Sequence, residues 1–219
     1  MSLKQKPFFC SWSGGKDSCL AFYRAVQQGG LPCYLVTIME NSERSKSHYL
    51  PAKLLKEQAK ALGVPLLSRS AKWEEYEAVF LDVLQDLKNQ GIQAGVFGDI
   101  DLQSHRDWVE RVCAEAGFEA YEPLWKAARK DLLREFIEEG FQAVVIAVKE
   151  GALGKEFLGK HLDWELIKAM EKCGIDPSGE EGEYHTVVID GPLFTAGIKI
   201  KLQEQIFHDG YWFQDIALV

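Results

Sequence analysis

Residues Ser11–Ser18 read SWSGGKDS, directly after the apolar run PFFC at Pro7–Cys10. An apolar run that meets two glycines, a lysine, an aspartate and a serine reads as a strand turning sharply into a helix. Pro7 fits at the start of that strand, because proline cannot donate to a ladder. Gly14 and Gly15 permit left-handed backbone and bring bare peptide close to a ligand. A helix beginning at Lys16 points its free N–H groups and the positive end of its dipole at the same spot. Lys16 adds a full charge, and Ser13 and Ser18 add hydroxyl donors. The result is an anion cradle whose natural occupant is a phosphate. The turn is too short for a Walker loop, and it lacks the third glycine of the dinucleotide fingerprint.

Outward from this turn, strand and helix signals alternate. CYLVTIM (33–39), VPLLSRS (64–70), AGVFGDID (94–101) and EAYEPLW (119–125) read as strands or strand ends, with helical stretches between them. In WEEYEAVFLDVLQDLKNQG (73–91), Tyr76, Phe80, Val83, Leu84 and Leu87 fall on one helical face. In SHRDWVERVCAEAG (104–117), Ser104 and Asp107 have capping-box spacing. This alternation predicts an α/β fold, a Rossmann-like parallel sheet covered on both faces. Ligands of such sheets sit at the carboxyl ends of the strands. Ser11–Ser18 lies there, as do Ile38 on the second strand and Gly98 and Asp99 on the fourth. The tail changes character. TVVIDGPLF (186–194) and AGIKIKLQEQIFHDGYWFQDIALV (196–219) read as antiparallel strands, with Ile198, Ile200 and Leu202 alternating with Lys199 and Lys201, and HDG as a hairpin turn. The expectation is a first domain over residues 4–125 and a smaller α+β domain over 126–219.

Composition narrows the function classes. The 219 residues carry a net charge of −8, which argues against a nucleic-acid partner held by a broad basic face. No apolar run approaches the ~18 residues of a membrane span. The five cysteines are scattered, and none forms a C-x-x-C pair. A reduced, cytoplasmic protein is expected. The six tryptophans are expected mostly in the core, and Cys19 as a buried packing residue.

A second candidate site lies in the tail. SGEEGEYHTVVIDGP (178–192) places Glu180, Glu181, Glu183, His185 and Asp190 close together. Like charges packed this tightly are costly unless solvated or paired with a cation. The stretch is either a solvated loop or a site for a cation or ammonium, with a carboxylate or His185 as base. Asp17 also has two readings: a Mg²⁺ ligand beside the phosphates, or a helix cap. His48 reads as a surface histidine, or as part of a loop folded over the nucleotide.

S-G-G-x-D-S resembles the pyrophosphate-binding loop of the N-type ATP pyrophosphatases. Together with GEEGEYHTVVIDGPLF, and with FGDI, EPLW and FLGK, it resembles the diphthine–ammonia ligase family over nearly the whole chain. That resemblance implies an adenine nucleotide alpha-hydrolase fold. It implies an ATP-dependent carbon–nitrogen ligase that adenylates a carboxylate, releases pyrophosphate and amidates with ammonia. ATP and Mg²⁺ are the expected cofactors, and a homodimer is compatible with the sequence. The implied catalytic residues are Lys16, Asp17, Glu183 and His185. Ser11, Ser13, Gly14, Gly15, Lys16, Asp17, Ser18, Ile38, Gly98 and Asp99 would bind nucleotide. Glu180, Glu181, Glu183 and His185 would face the substrate, and Asp17 the metal. At His185 the chain departs from the diphthamide branch, which carries glutamate there, so the acid substrate stays open, a cobalamin-related acid included. The alternatives are a non-catalytic nucleotide sensor and a tRNA-thiolating enzyme, the latter wanting catalytic cysteines and a basic surface.

Overall fold

A computed structural model describes residues 3–46 and 48–219. The chain runs β1 (Pro7–Ser11), α1 (Lys16–Gln27), β2 (Leu31–Met39), α2 (Ala52–Leu62), β3 (Leu66–Ser70), α3 (Tyr76–Asn89), β4 (Ala94–Val96), α4 (Gln103–Ala116) and β5 (Glu119–Tyr121). These strands form one parallel sheet in the order β3-β2-β1-β4-β5. The order reverses between β1 and β4, and there the Ser11–Ser18 turn leaves the sheet. The chain continues through α5 (Arg129–Glu138), β6 (Gln142–Lys149), α6 (Trp164–Lys172), β7 (Tyr184–Asp190), β8 (Ile200–His208) and β9 (Tyr211–Leu218). Its second sheet is antiparallel, ordered β7-β6-β9-β8. The α/β architecture read from the sequence is the one observed.

Alternation along β1 builds two cores. Phe8 and Cys10 face α1, α5 and the second sheet, in a cluster that includes Leu20, Phe22, Leu132, Phe136, Val145 and Val187. Phe9 faces the other way, under α3 and α4, with ring centroids 5.6 Å from Phe118, 5.8 Å from Phe97 and 6.3 Å from Phe80. Edge-to-face geometry at these spacings adds to the burial energy. The first cluster runs without a break from one sheet to the other. A chain division near residue 126 falls in the loop before α5, whose inner face belongs to that shared cluster.

Several local expectations are corrected. Helix α4 starts at Gln103 with Leu102 at the N-cap and no side-chain cap, so Ser104 already lies inside the first turn. Asp107 instead accepts from Gln103 Nε2 at 2.8 Å. Of the tryptophans only Trp12 is fully buried, whereas Trp73 is 73% exposed. Strand β8 starts at Ile200 and leaves Leu202 exposed, because it is an edge strand with little packed on either face. The hairpin turn holds: Asp209 and Gly210 both have positive φ, 49° and 80°, and His208 pairs with Tyr211. Cys19 is buried, and burial raises its thiol well above the ordinary range.

Phe9→Ala removes a ring that three others contact, so it should cost about 3–5 kcal/mol of stability. Urea unfolding followed by circular dichroism would measure it.

Candidate functional site

The Ser11–Ser18 turn is built as its composition requires. Gly14 has φ 80° and Gly15 caps α1 in extended conformation. Ser13 Oγ accepts from Gly15 N at 3.3 Å and lies 3.1 Å from Ser18 Oγ. Ser18 Oγ donates back to the Gly15 carbonyl at 3.1 Å. Ser11 ends β1.

Elements far along the chain hold this turn. The Gly14 carbonyl accepts from Val188 N at 2.9 Å and from Gln58 Nε2 at 2.9 Å. Gln58, fully buried on α2, also donates to the Val188 carbonyl at 2.7 Å and accepts from Trp12 Nε1 at 3.0 Å. Lys16 N donates to Thr186 Oγ1 at 3.1 Å. From the other side, Gly98 packs so closely that a Cβ there would lie 2.9 Å from the Asp17 carbonyl carbon and the Ser18 nitrogen.

The structure brings the two sequence motifs together at Lys16. Its ammonium is buried, 2.8 Å from Asp17 Oδ2, 3.9 Å from Glu180 Oε1 and over the Tyr184 ring at 5.7 Å. Burial opposes the charge, but Asp17, Tyr184 and Glu180 overcome that and raise its pKa. Glu180 is pushed up to about 7, first by burial and then by Asp17, against the pull of Lys16 and Arg129. Arg129 ties the tail loop to the fourth strand's exit: its guanidinium pairs with Asp101 at 2.7 Å and with Asp176.

The other expected residues are spread more widely. His185 stacks on His48 with centroids 4.6 Å apart, and burial followed by Lys16 lowers its pKa to about 4. His48 is no surface residue. Its Nδ1 lies 3.1 Å from the Thr186 carbonyl, and its ring would collide with a Cβ on Gly15. Glu183 Oε2 accepts from Glu181 N at 3.1 Å, and Glu181 itself is exposed. Asp99 Oδ1 meets His105 Nδ1 at 3.2 Å. Ile38 packs in the Phe9 cluster, and its carbonyl accepts from Lys46 N at 3.2 Å. Among the described residues no group of three His, Cys, Asp or Glu side chains is arranged to hold a metal ion.

Sequence reading missed Gln58, Thr186, Tyr184 and Arg129. Gln58 did leave a signal, a polar residue on the buried face of α2 among Leu54, Leu55 and Ala59. Glu122, in the EPLW stretch just past β5, has a buried side chain with Oε1 unpartnered. Burial lifts it to about 7, despite Arg106 at 3.5 Å.

Two family models cover this chain: the diphthamide synthase N-terminal domain matches residues 8–120 and the diphthamide synthase C-terminal domain residues 128–218. The chain belongs to the diphthamide synthase family. Among curated relatives of the family, the diphthine–ammonia ligase of Rattus norvegicus is 28% identical over 94% of this chain and 86% of its own length. That of Schizosaccharomyces pombe is 26% identical over 90% of this chain but only 36% of its own length. A solved chain described as a predicted subunit of tRNA methyltransferase from Methanocaldococcus jannaschii superposes with a TM-score of 0.48 at 19% identity. The match covers 85% of this chain and 98% of that one. No helix among the described residues is long and apolar enough to cross a membrane.

Two tests follow from this geometry. Gly98→Ala should push on the first turn of α1 and, where the turn is a nucleotide cradle, weaken nucleotide affinity on the order of tenfold, about one charge-assisted hydrogen bond. Calorimetry with circular dichroism as the fold control would read this. Glu180 holds its proton to about 7 when folded but releases it near the ordinary 4.5 when unfolded. Stability should therefore fall as pH rises between those values. Thermal melts of Glu180→Gln should show a smaller fall than wild type.

Proposed function

We propose that this protein is an ATP-dependent carbon–nitrogen ligase that adenylates a substrate carboxylate and amidates it with ammonia. One observation carries the reading. The glycine-rich turn and the acidic tail segment, 170 residues apart in sequence, meet at Lys16 through Thr186 and Glu180. A phosphate-binding turn alone would suit a sensor; an acidic group of raised pKa against it suits chemistry on what the nucleotide activates.

In this reading the N–H groups at the start of α1 and the Ser13 and Ser18 hydroxyls hold the β- and γ-phosphates, and the α-phosphorus stays open to attack. The carboxylate attacks in line, forming an acyl-adenylate, and pyrophosphate leaves against Lys16 and the helix terminus. Mg²⁺ would neutralise phosphate charge, with Asp17 as the residue to hold it. Ammonia then attacks the acyl carbon and displaces AMP. Ammonium must first lose a proton. Glu180, near 7, is better matched to accept it than His185, near 4. Asp99 and Gly98 border the same end of the sheet. The relatives' name points to diphthine as the acid, and His185, where the diphthamide branch has glutamate, points to a different or broader acid.

³¹P NMR of the protein with Mg-ATP, ammonium and a metabolite extract should yield AMP and pyrophosphate, with no turnover in Lys16→Ala. ADP and phosphate as products, or normal turnover in Lys16→Ala, would overturn the assignment.

A further inference from the structure

Three rings stack beside the phosphate-facing end of α1. His48 lies 4.6 Å from His185, and His185 lies 5.5 Å from Tyr211, with interplanar angles of 30° and 29°. His48 Nδ1 sits 3.1 Å from the Thr186 carbonyl oxygen. A carbonyl only accepts, so Nδ1 carries the proton, and the neutral ring is left with a bare lone pair on Nε2. The ring edge around Cε1 faces Gly15, since a Cβ there would lie 2.4 Å from that carbon. Gly15 is the N-cap of the cradle helix.

The cradle's lysine is already balanced. Lys16 is paired with Asp17 and lies 3.9 Å from Glu180. A triphosphate seated on the Gly14–Ser18 turn therefore meets a lysine already paired with Asp17, and an imidazole presenting a lone pair. One proton on the imidazole removes that mismatch.

We propose that His48 is a phosphate ligand that takes up one proton from solvent at Nε2 when a nucleoside triphosphate binds, and then donates it in a hydrogen bond to a phosphate oxygen. This deepens the reading above and rests on nucleotide binding at the turn. In the free protein burial, His185 and Lys16 hold His48 neutral, well below the ordinary histidine range. Among the described residues, the titratable groups that face it are Lys16, paired with Asp17, from α1, His185 from β7 and Asp215 from β9, with Tyr211 stacked behind His185. Arg44, in the same loop as His48, pairs with Asp215 at 2.8 Å. Asp17 is matched to Lys16 and Asp215 to Arg44, so the incoming phosphate is what supplies the charge to hold the proton. His185 cannot take a second proton at a 4.6 Å ring spacing, because two imidazolium charges would repel.

The test uses ¹⁵N-labelled full-length protein at about pH 7.5, where an ordinary histidine is mostly neutral. Long-range ¹H–¹⁵N spectra of the imidazoles would be recorded with and without Mg-ATP. His48 is assigned by its loss in His48→Gln, or by through-bond connection to its backbone if that variant fails to fold. The expected result is a change at His48 from the neutral Nδ1–H form to imidazolium. Calorimetry in buffers of different ionisation enthalpy should then show uptake of about one proton per nucleotide. Binding with His48 still neutral, or with the proton on His185, overturns this proposal alone. No binding of Mg-ATP overturns it together with the nucleotide reading of the turn.

Discussion

A single carbonyl, that of Gly14, accepts two hydrogen bonds that fix the geometry of everything around it. One comes from the backbone of β7, the other from the buried amide of Gln58 on α2. A glycine at φ 80° would otherwise be free to sample many conformations. Held from both sides, it presents the first turn of α1 in one orientation. The same few residues of β7 then hold the helix start through Thr186 and carry His185 to its mouth. The parallel sheet supplies the position of the turn, and the antiparallel sheet supplies its shape.

The electrostatics follow from this packing. Lys16 is buried because β7 and the tail loop close over it, and burial is what makes its neighbours unusual. A buried ammonium needs counter-charge, which Asp17 provides at 2.8 Å, with Glu180 3.9 Å away. Buried carboxyls in turn resist ionisation, and two of them, Glu180 and Glu122, sit near neutrality at the same end of the sheet. Arg129 completes the arrangement by joining Asp101, just past β4, to Asp176 in the tail loop. Surface ion pairs of this kind contribute little stability singly. Their contribution here is to place one loop against another.

The parallel sheet and its turn were legible in the sequence because each rests on local signals: apolar runs alternating with period-3.6 stretches, and glycines where backbone must bend. Lys16, Gly14 and Ser18 could be singled out for the same reason. What was not legible depends on contacts across the chain. His48 leaves two readings open in NSERSKSHYL, a surface residue or part of a loop over the nucleotide, and only the approach of β7 shows it wedged against Gly15. Thr186 reads as one more β-branched strand residue until its hydroxyl is seen on the Lys16 amide. Capping at Ser104 failed for a local reason, since helix spacing does not say which residue keeps extended backbone. The exposed Trp73 shows that an aromatic at a helix start need not turn inward.

The distance along the chain between Lys16 and Thr186 bears on how the protein is made. A ribosome releases the turn early and β7 about 170 residues later. Contacts of such high sequence separation form late and slow folding. The emerging N-terminal half thus carries the glycines of the cradle without the strand that shapes them, and the hydrophobic cluster that α1 shares with the second sheet stays open until β6 and β7 arrive. The full geometry of the turn appears only when most of the chain has left the ribosome, so a truncated translation product would carry the motif and lack its shape.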